Sequence, residues 1–181
     1  MKIALNIFPT DKAISPIQLA KEAEERGFES LWFPEHSHIP TSRETPWGGD
    51  PSLPPLPEMY WRTVDQFVAL SAVAASTTEL KIGTGITLVA QRDPIWLAKE
   101  VASLDYISNG RLLFGIGYGL YIGYLQSNNN PFIPSSNSSG CSEGFLERLA
   151  GVPFPEEINT SVSLISTLEH LNDGCHSHGL F

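Results

Sequence analysis

The chain has 181 residues, which is enough for one domain with a hydrophobic core. Apolar residues make up 41% of it, and 20 acidic residues against 11 basic ones give a net charge of −9. This charge argues against a nucleic-acid partner, because phosphate binding needs a basic face. No apolar run approaches the roughly 18 residues of a membrane span, and no signal-peptide pattern opens the chain. We therefore expect a cytoplasmic protein that binds neither nucleic acid nor membrane.

Two strands and a helix are predicted at the start of the chain. The short apolar runs at 3–7 and 30–33 are typical of buried strands. Between them, Ser15 and Gln18 predict a helix that begins with a capping box, and Gly27 predicts its end. Ile17, Ala20 and Ala23 share one face of this helix, so we expect that face to be buried.

Further strands and helices follow a Pro- and Gly-rich stretch at 39–57, which has the length of a lid or binding loop. Residues 60–76 have helical spacing, and residues 80–88 predict a third strand. Asp93 and Pro94 begin another helix, which stops at 108–110. Residues 111–117 predict a fourth strand. Strands that alternate with helices in this way indicate a parallel sheet.

The alternating pattern stops at about Gly119. We therefore predict two parts: residues 1–119, and an irregular tail at 120–181 whose composition favours little apolar burial. A frameshifted or truncated reading frame would produce a tail of this kind. Cys141 and Cys175 lie in the tail and offer neither a disulfide framework nor zinc-ligand spacing.

Several motifs in the first part resemble the luciferase-like monooxygenase superfamily. These are WFPEH at 32–36, IGTG at 82–85 and LDYISNGR at 104–111. Within that superfamily, PEHSHIP at 34–40 and QRDP at 91–94 are similar to probable oxidoreductases that use coenzyme F420, a deazaflavin. The resemblance covers roughly residues 1–119 and implies an α/β fold of the (β/α)8 TIM-barrel type. Only about the first four strand–helix units of such a barrel are recognisable.

The resemblance also implies a site at the carboxyl ends of the strands, where barrel enzymes place their catalytic residues. His36 is the candidate for proton exchange or ring contact, and Glu35 is the candidate for orienting His36 or for bonding the backbone. The family's peptide at Gly85-Ile86 is commonly cis and bulges against the cofactor ring. The candidate cofactor-binding residues are therefore Thr84, Gly85, Ile86 and Gly117.

Other interpretations of the same residues stay open. His36 and His38 could bind a divalent metal as in amidohydrolase-like barrels, but the remaining histidines, His170, His176 and His178, all lie in the tail. Asp93 is expected to cap its helix, while Arg92 either lines the site or is solvated. Core packing is the expected role of four aromatic residues: Trp32, Phe33, Trp61 and Phe67.

The predicted function is two-electron transfer through FMN or coenzyme F420 to a small organic substrate, or its oxygenation. The protein would position the ring, tune its electronics and exclude water. Two alternatives accompany this prediction: a truncated half-barrel that binds no cofactor, and a metal-dependent hydrolase. A homodimer is one further option, because a four-stranded parallel sheet has two open edges.

Overall fold

The computed structural model describes residues 2–39 and 52–117 of the chain. Six strands lie in this part: β1 (Ala4–Asn6), β2 (Ser30–Phe33), β3 (Lys81–Thr84), β4 (Thr87–Leu88), β5 (Leu112–Leu113) and β6 (Ile116–Gly117). Strands β1, β2, β3 and β5 form one parallel sheet in that order, and β4 pairs with β6, also in parallel. The predicted parallel sheet is confirmed.

Four helices connect the strands: α1 (Pro16–Glu25), α2 (Met59–Arg62), α3 (Gln66–Ser76) and α4 (Pro94–Ile107). A short 3₁₀ turn, Val89–Gln91, precedes α4. Helix α3 contacts both α1 and α4, so the three longer helices form one layer over the sheet. The predicted tail at 120–181 lies outside the described residues, as does most of the predicted loop at 39–57.

The third and fourth predicted strands are each divided in two. Gly83 pairs with Leu113, and Thr87 pairs with Ile116. Between these two pairs the chain moves by four positions from Gly83 to Thr87 but by only three from Leu113 to Ile116. One extra residue is therefore accommodated between β3 and β4, which is the defining property of a β-bulge. The bulge falls at Gly85 and Ile86, between the two short ladders.

Helix α1 begins differently from the prediction but ends as expected. Ser15 is the N-cap, yet its side chain makes no capping hydrogen bond, so the predicted capping box with Gln18 is wrong. At the other end, Phe28 N donates to Ala23 O and Gly27 N donates to Glu24 O. Gly27 has φ +74°, and this pattern is a Schellman motif.

The predicted helix at 60–76 is two helices with a break at 63–65. Thr63 is extended and its hydroxyl donates to Met59 O at 2.7 Å, which closes α2. Asp65 then caps α3 by accepting a hydrogen bond from Val68 N at 2.8 Å. Because Asp65 caps a new helix, Val64 and Val68 lie on the surface and not in the core.

The hydrophobic core lies between the sheet and the three longer helices. Ala20 and Ala23 are buried in it, as expected, but Ile17 is 42% exposed, so its predicted burial is wrong. Trp61 is 52% exposed, so its predicted place in the core is wrong, whereas Phe33 and Phe67 are buried. The largest fully buried apolar side chains are Phe33, Leu31, Leu70, Leu80, Ile82, Leu97, Leu104 and Leu112.

Two charged side chains secure the amino-terminal ends of the strands. Glu24 Oε1 accepts hydrogen bonds from three successive backbone N–H groups at 78–80, at 2.6 to 2.8 Å. Arg111 donates to the carbonyl oxygens of Ala74, Thr77, Leu80 and Ser108. Glu24 thus satisfies backbone N–H groups between α3 and β3, and Arg111 satisfies carbonyl oxygens near the ends of α3 and α4. Among the described helices, none is long and apolar enough to cross a membrane.

Candidate active site at the carboxyl ends of the strands

The carboxyl ends of the four parallel strands meet at one edge of the sheet, and the candidate residues lie there. Glu35 and His36 follow β2, and Gly85 and Ile86 follow β3. A cleft of about 250 Å³ opens beside them, and its lining includes Glu35, His36, Asp65, Gln66, Gln91 and Arg92. The fold therefore brings Glu35 and His36 into one cleft, next to the bulge that carries the other candidates.

Both oxygens of the Glu35 carboxylate accept hydrogen bonds, one from the last residue of β4 and one from Arg92 beyond the following turn. Its Oε2 accepts a hydrogen bond from Leu88 N at 2.6 Å, and its Oε1 accepts one from Arg92 Nε at 2.7 Å. Of the two roles predicted for Glu35, hydrogen bonding to the backbone is therefore observed. No contact with His36 is observed in the described part of the chain, so the orienting role receives no support.

Arg92 is the centre of a charged cluster. Its side chain is only 17% exposed, so the option of a solvated Arg92 is wrong. It donates to Glu35 and to Glu100 Oε2 at 2.6 Å, lies 3.8 Å from Asp65, and stacks over the Phe67 ring at 4.7 Å. Arg92 instead lines the cleft, which was the other role that the sequence left open for it.

Burial and charge act in opposite directions on the pKa values in this cluster. Burial alone would lower the pKa of Arg92, but the hydrogen bond and charge of Glu35, together with Glu100 and Asp65, leave that pKa raised. Burial raises the pKa of Glu100, and the Arg92 guanidinium only partly offsets this. Arg92 therefore stays cationic and holds the Glu35 carboxylate at the edge of the cleft.

His36 lies in an aromatic environment. Its ring stacks on Phe8 with 5.6 Å between centroids and 8° between planes, and it meets Tyr60 edge-on at 4.8 Å. Burial lowers the pKa of His36, so the neutral imidazole is favoured. A neutral imidazole has one N–H donor and one nitrogen acceptor, so it can both give a proton to a bound molecule and accept one from it.

The second histidine of the motif makes different contacts. His38 is exposed, and its Nδ1 lies 2.9 Å from the Ser37 hydroxyl, which in turn donates to Gln91 Oε1 at 2.9 Å. Within 2–39 and 52–117, no three His, Cys, Asp or Glu side chains lie close enough together to hold a metal ion. The other three histidines of the chain, which all belong to the tail, lie outside these ranges.

Thr84 and Gly115 join the two strands at the bulge. The Thr84 hydroxyl donates to Gly115 O and accepts from Gly115 N, each at 2.8 Å, and the Thr84 side chain is fully buried. A Cβ atom on Gly115 would lie 2.4 Å from Thr84 O, so glycine is the residue that fits there. Thr84, a predicted cofactor-binding residue, thus directs its side chain to the neighbouring strand.

The other three predicted cofactor-binding residues lie together at the bulge. The Gly85-Ile86 peptide is cis, as the resemblance implied. A Cβ on Gly85 would lie 3.6 Å from Trp32 Cβ and 3.7 Å from Asn6 Nδ2, so the Gly85 backbone lies beside these two side chains. Gly117 leaves room for Ile86, because a Cβ on Gly117 would lie 1.9 Å from Ile86 Cδ1.

Sequence reasoning missed several residues of the site. Gln66 lines the cleft and contacts the bulge, yet it lies inside a helical pattern and has no local signal. Phe8 lies two residues after the end of β1, so the rule that strand ends share one edge could have placed it beside His36. Asp65 and Glu100 join the site through Arg92, and no sequence spacing indicates that pairing.

Comparison with known proteins identifies the class of this barrel. Residues 12–121 match the luciferase-like monooxygenase family. The chain belongs to that family, and the predicted membership is confirmed. An uncharacterised protein of Mycobacterium tuberculosis is 41% identical over 121 residues, which are 66% of this chain and 42% of the relative. The chain thus spans less than half the length of this relative.

Solved structures of the family share the fold. The monooxygenase RslO1 from Streptomyces bottropensis superposes with a TM-score of 0.62 and 26% identity, over 82% of this chain and 42% of that chain. The oxygenating component of 3,6-diketocamphane monooxygenase from Pseudomonas putida, solved with FMN, gives 0.60 at 20% identity over 82% and 38%. An F420-dependent secondary alcohol dehydrogenase gives 0.51 at 22% over 81% and 40%. The predicted TIM-barrel class is confirmed.

Proposed function

We propose that this chain contributes the FMN- or F420-binding half of a luciferase-like oxidoreductase that acts on a small organic substrate. The observation that carries the proposal is the bulge between β3 and β4, which lies at the same edge of the sheet as Glu35 and His36. Family members solved with FMN or described as F420-dependent support the two candidate cofactors.

Two features of the bulge support its proposed role as the surface under the ring. Gly85 has no side chain, and Trp32 and Asn6 flank it, so a planar group can approach the backbone closely. Gly117 gives Ile86 room to pack without a neighbouring side chain. In this proposal Gly85 and Ile86 support the ring face, while Thr84 and Gly117 hold the bulge that presents it.

The residues around the ring would manage protons and water. A bound flavin or deazaflavin supplies two-electron chemistry, as a hydride acceptor or, for FMN, in reaction with dioxygen. His36 is half-buried and its neutral form is favoured, so it would exchange a proton with the ring edge or the substrate. Glu35 acts as a positioning residue, because it joins the end of β2 to Leu88 and Arg92.

A fluorescence titration of the full 181-residue chain with FMN and with coenzyme F420, in parallel, tests the proposal. Saturable binding of one ring, weakened by His36→Ala in a sample whose circular dichroism is unchanged, is the expected result. A folded sample that binds neither ring would refute the proposal for this chain. That outcome would favour the alternative of a half-barrel that binds no cofactor.

A further inference from the structure

Gln66 is a buried polar residue that neither the sequence motifs nor the proposed chemistry uses. It is the first residue of α3 and is only 1% exposed. A buried amide is costly unless its donors and acceptor are all satisfied. The partners of Gln66 therefore indicate what the residue is for.

All the hydrogen bonds of the Gln66 amide go to the strand ends of the site. Its Nε2 donates to Phe33 O at 2.7 Å and lies 3.4 Å from Ile86 O. Its Oε1 accepts from the Thr87 hydroxyl at 2.7 Å. One side chain thus contacts the last residue of β2, the bulge, and the first residue of β4.

Backbone bonds reinforce the same points. Phe33 O also accepts from Gly85 N at 2.8 Å, and Thr87 N donates to Gly115 O at 2.9 Å. The segment 85–87 is therefore bonded at both ends. Gln66 connects these ends, because it bonds Phe33 O, the acceptor of Gly85 N, and also the Thr87 hydroxyl. In a segment where the regular ladder is interrupted, these bonds replace the ones that an unbroken strand would make.

We propose that Gln66 is a positioning residue that sets the conformation of segment 85–87 and hence the surface on which the ring rests. The role of the segment rests on the proposed function; the role of Gln66 in ordering it does not. Gln66 also lines the cleft beside His36, so it joins the two halves of the site. It acts through the backbone and does not touch the reacting atoms.

The test replaces Gln66 by methionine, which has a similar shape and no hydrogen-bonding amide. Amide hydrogen exchange reports the order of segment 85–87 without any cofactor. We expect exchange at Gly85 and Thr87 to accelerate about tenfold relative to Lys81 and Ile82, whose amides bond at the other end of β3. The affinity for the ring should fall by about the same factor.

Two further variants separate positioning from simple loss of stability. Gln66→Met with Thr87→Val removes both partners of the buried bond, so stability should recover while exchange at Gly85 stays fast. Thr77→Val is the control, because its buried hydroxyl bonds Val73 O and Arg111 at the opposite end of the strands. That control should leave exchange at Gly85 and ring affinity unchanged.

The outcomes are distinct. Unchanged exchange at Gly85 and Thr87 in Gln66→Met would overturn the role of Gln66, and so would an equal acceleration at Lys81 and Ile82. Recovery of wild-type exchange in the double variant would also overturn it, since the Thr87 hydroxyl alone would then explain the effect. Failure of the wild-type chain to bind either ring would refute the proposed function, while the exchange data would still decide the role of Gln66.

Discussion

Arg92 Nε donates to Glu35 Oε1 at 2.7 Å, which joins the segment after β2 to the turn after β4. The two residues are 57 positions apart in the chain, and both side chains are mostly buried. A buried ion pair of this kind adds little to the stability of the fold when it is compared with a pair of apolar residues of the same shape. Removal of one partner is costly, however, because the other charge is left buried alone.

Arg92→Met should therefore destabilise the fold by about 2 to 3 kcal/mol, since it leaves the Glu35 carboxylate without its cation. Urea unfolding followed by circular dichroism measures this change. The matched control is Arg26→Met, which removes an ion pair to Glu22 between largely exposed side chains. The control should not change stability measurably, and equal effects of the two variants would contradict the importance of burial.

His36 should make stability depend on pH in a defined direction. Its pKa is lowered by burial in the folded chain, so the unfolded chain takes up the proton more readily. The stability of the wild type should fall as the pH drops below about 6.5, the ordinary pKa of histidine, and level off once folded His36 is protonated too. His36→Phe, which keeps the stacked ring, should lack this component in urea unfolding between pH 5 and 8. Parallel pH curves for the two proteins would show that the pKa of His36 is not lowered.

Glu24, at the other end of the strands, should also make the stability of the fold depend on pH, here through a carboxylate whose pKa is lowered. Burial opposes its ionised form, but three backbone N–H groups from 78–80 outweigh this and lower its pKa. Its stabilisation is therefore present above the ordinary pKa of glutamate and lost as the pH falls through the lowered folded value. Glu24→Ala should cost about 1 kcal/mol at pH 7, after allowance for partial exposure. The exposed Glu25→Ala is the control, and an equal loss in thermal melts of both variants would contradict the role of Glu24.

Two glycines of the site should respond differently to the same substitution. Gly115→Ala places a Cβ 2.4 Å from Thr84 O, a backbone atom, so strands β3 and β5 must separate at a cost of about 3 kcal/mol. Gly117→Ala meets Ile86 Cδ1, the end of a side chain that can rotate, so stability should fall by less than about 1 kcal/mol. The same rotation should still weaken ring binding. Urea unfolding and the ring titration together check both expectations, and a reversed order of stability would refute this account of the packing.

Much of the fold could be predicted because its signals are local. The boundaries of β2, the Asp93 cap of α4 and the end of α1 at Gly27 all follow from apolar runs and from the backbone preferences of glycine and proline. The division at 63–65 was not predicted, and the bulge at 85–86 was expected from the family resemblance and not from the local pattern. They depend on contacts between distant segments, which override a pattern that is continuous in the sequence.

The site could be predicted only in part for the same reason. Family motifs placed Glu35, His36 and the Gly85-Ile86 bulge, each of which lies within three residues of the end of a strand. The partners that engage them are distant in the chain: Arg92 for Glu35, Phe8 for His36 and Gln66 for Ile86. Pairings of this kind arise from the way that strands and helices pack, and no spacing in a single sequence encodes them.

The extra residue between β3 and β4 also reverses which side chains point toward the helices. Before the bulge, the even-numbered Ile82 and Thr84 are fully buried, whereas after it the odd-numbered Thr87 is. On the partner strand, Leu112, Phe114 and Ile116 keep even parity throughout. Deletion of Gly85 would restore strict alternation with Thr87 still opposite Ile116 and on the same buried face, but the bulge would be lost. Such a deletion would leave the core side chains on their present face and would remove the backbone surface proposed for the ring, so we expect it to abolish ring binding before it abolishes folding.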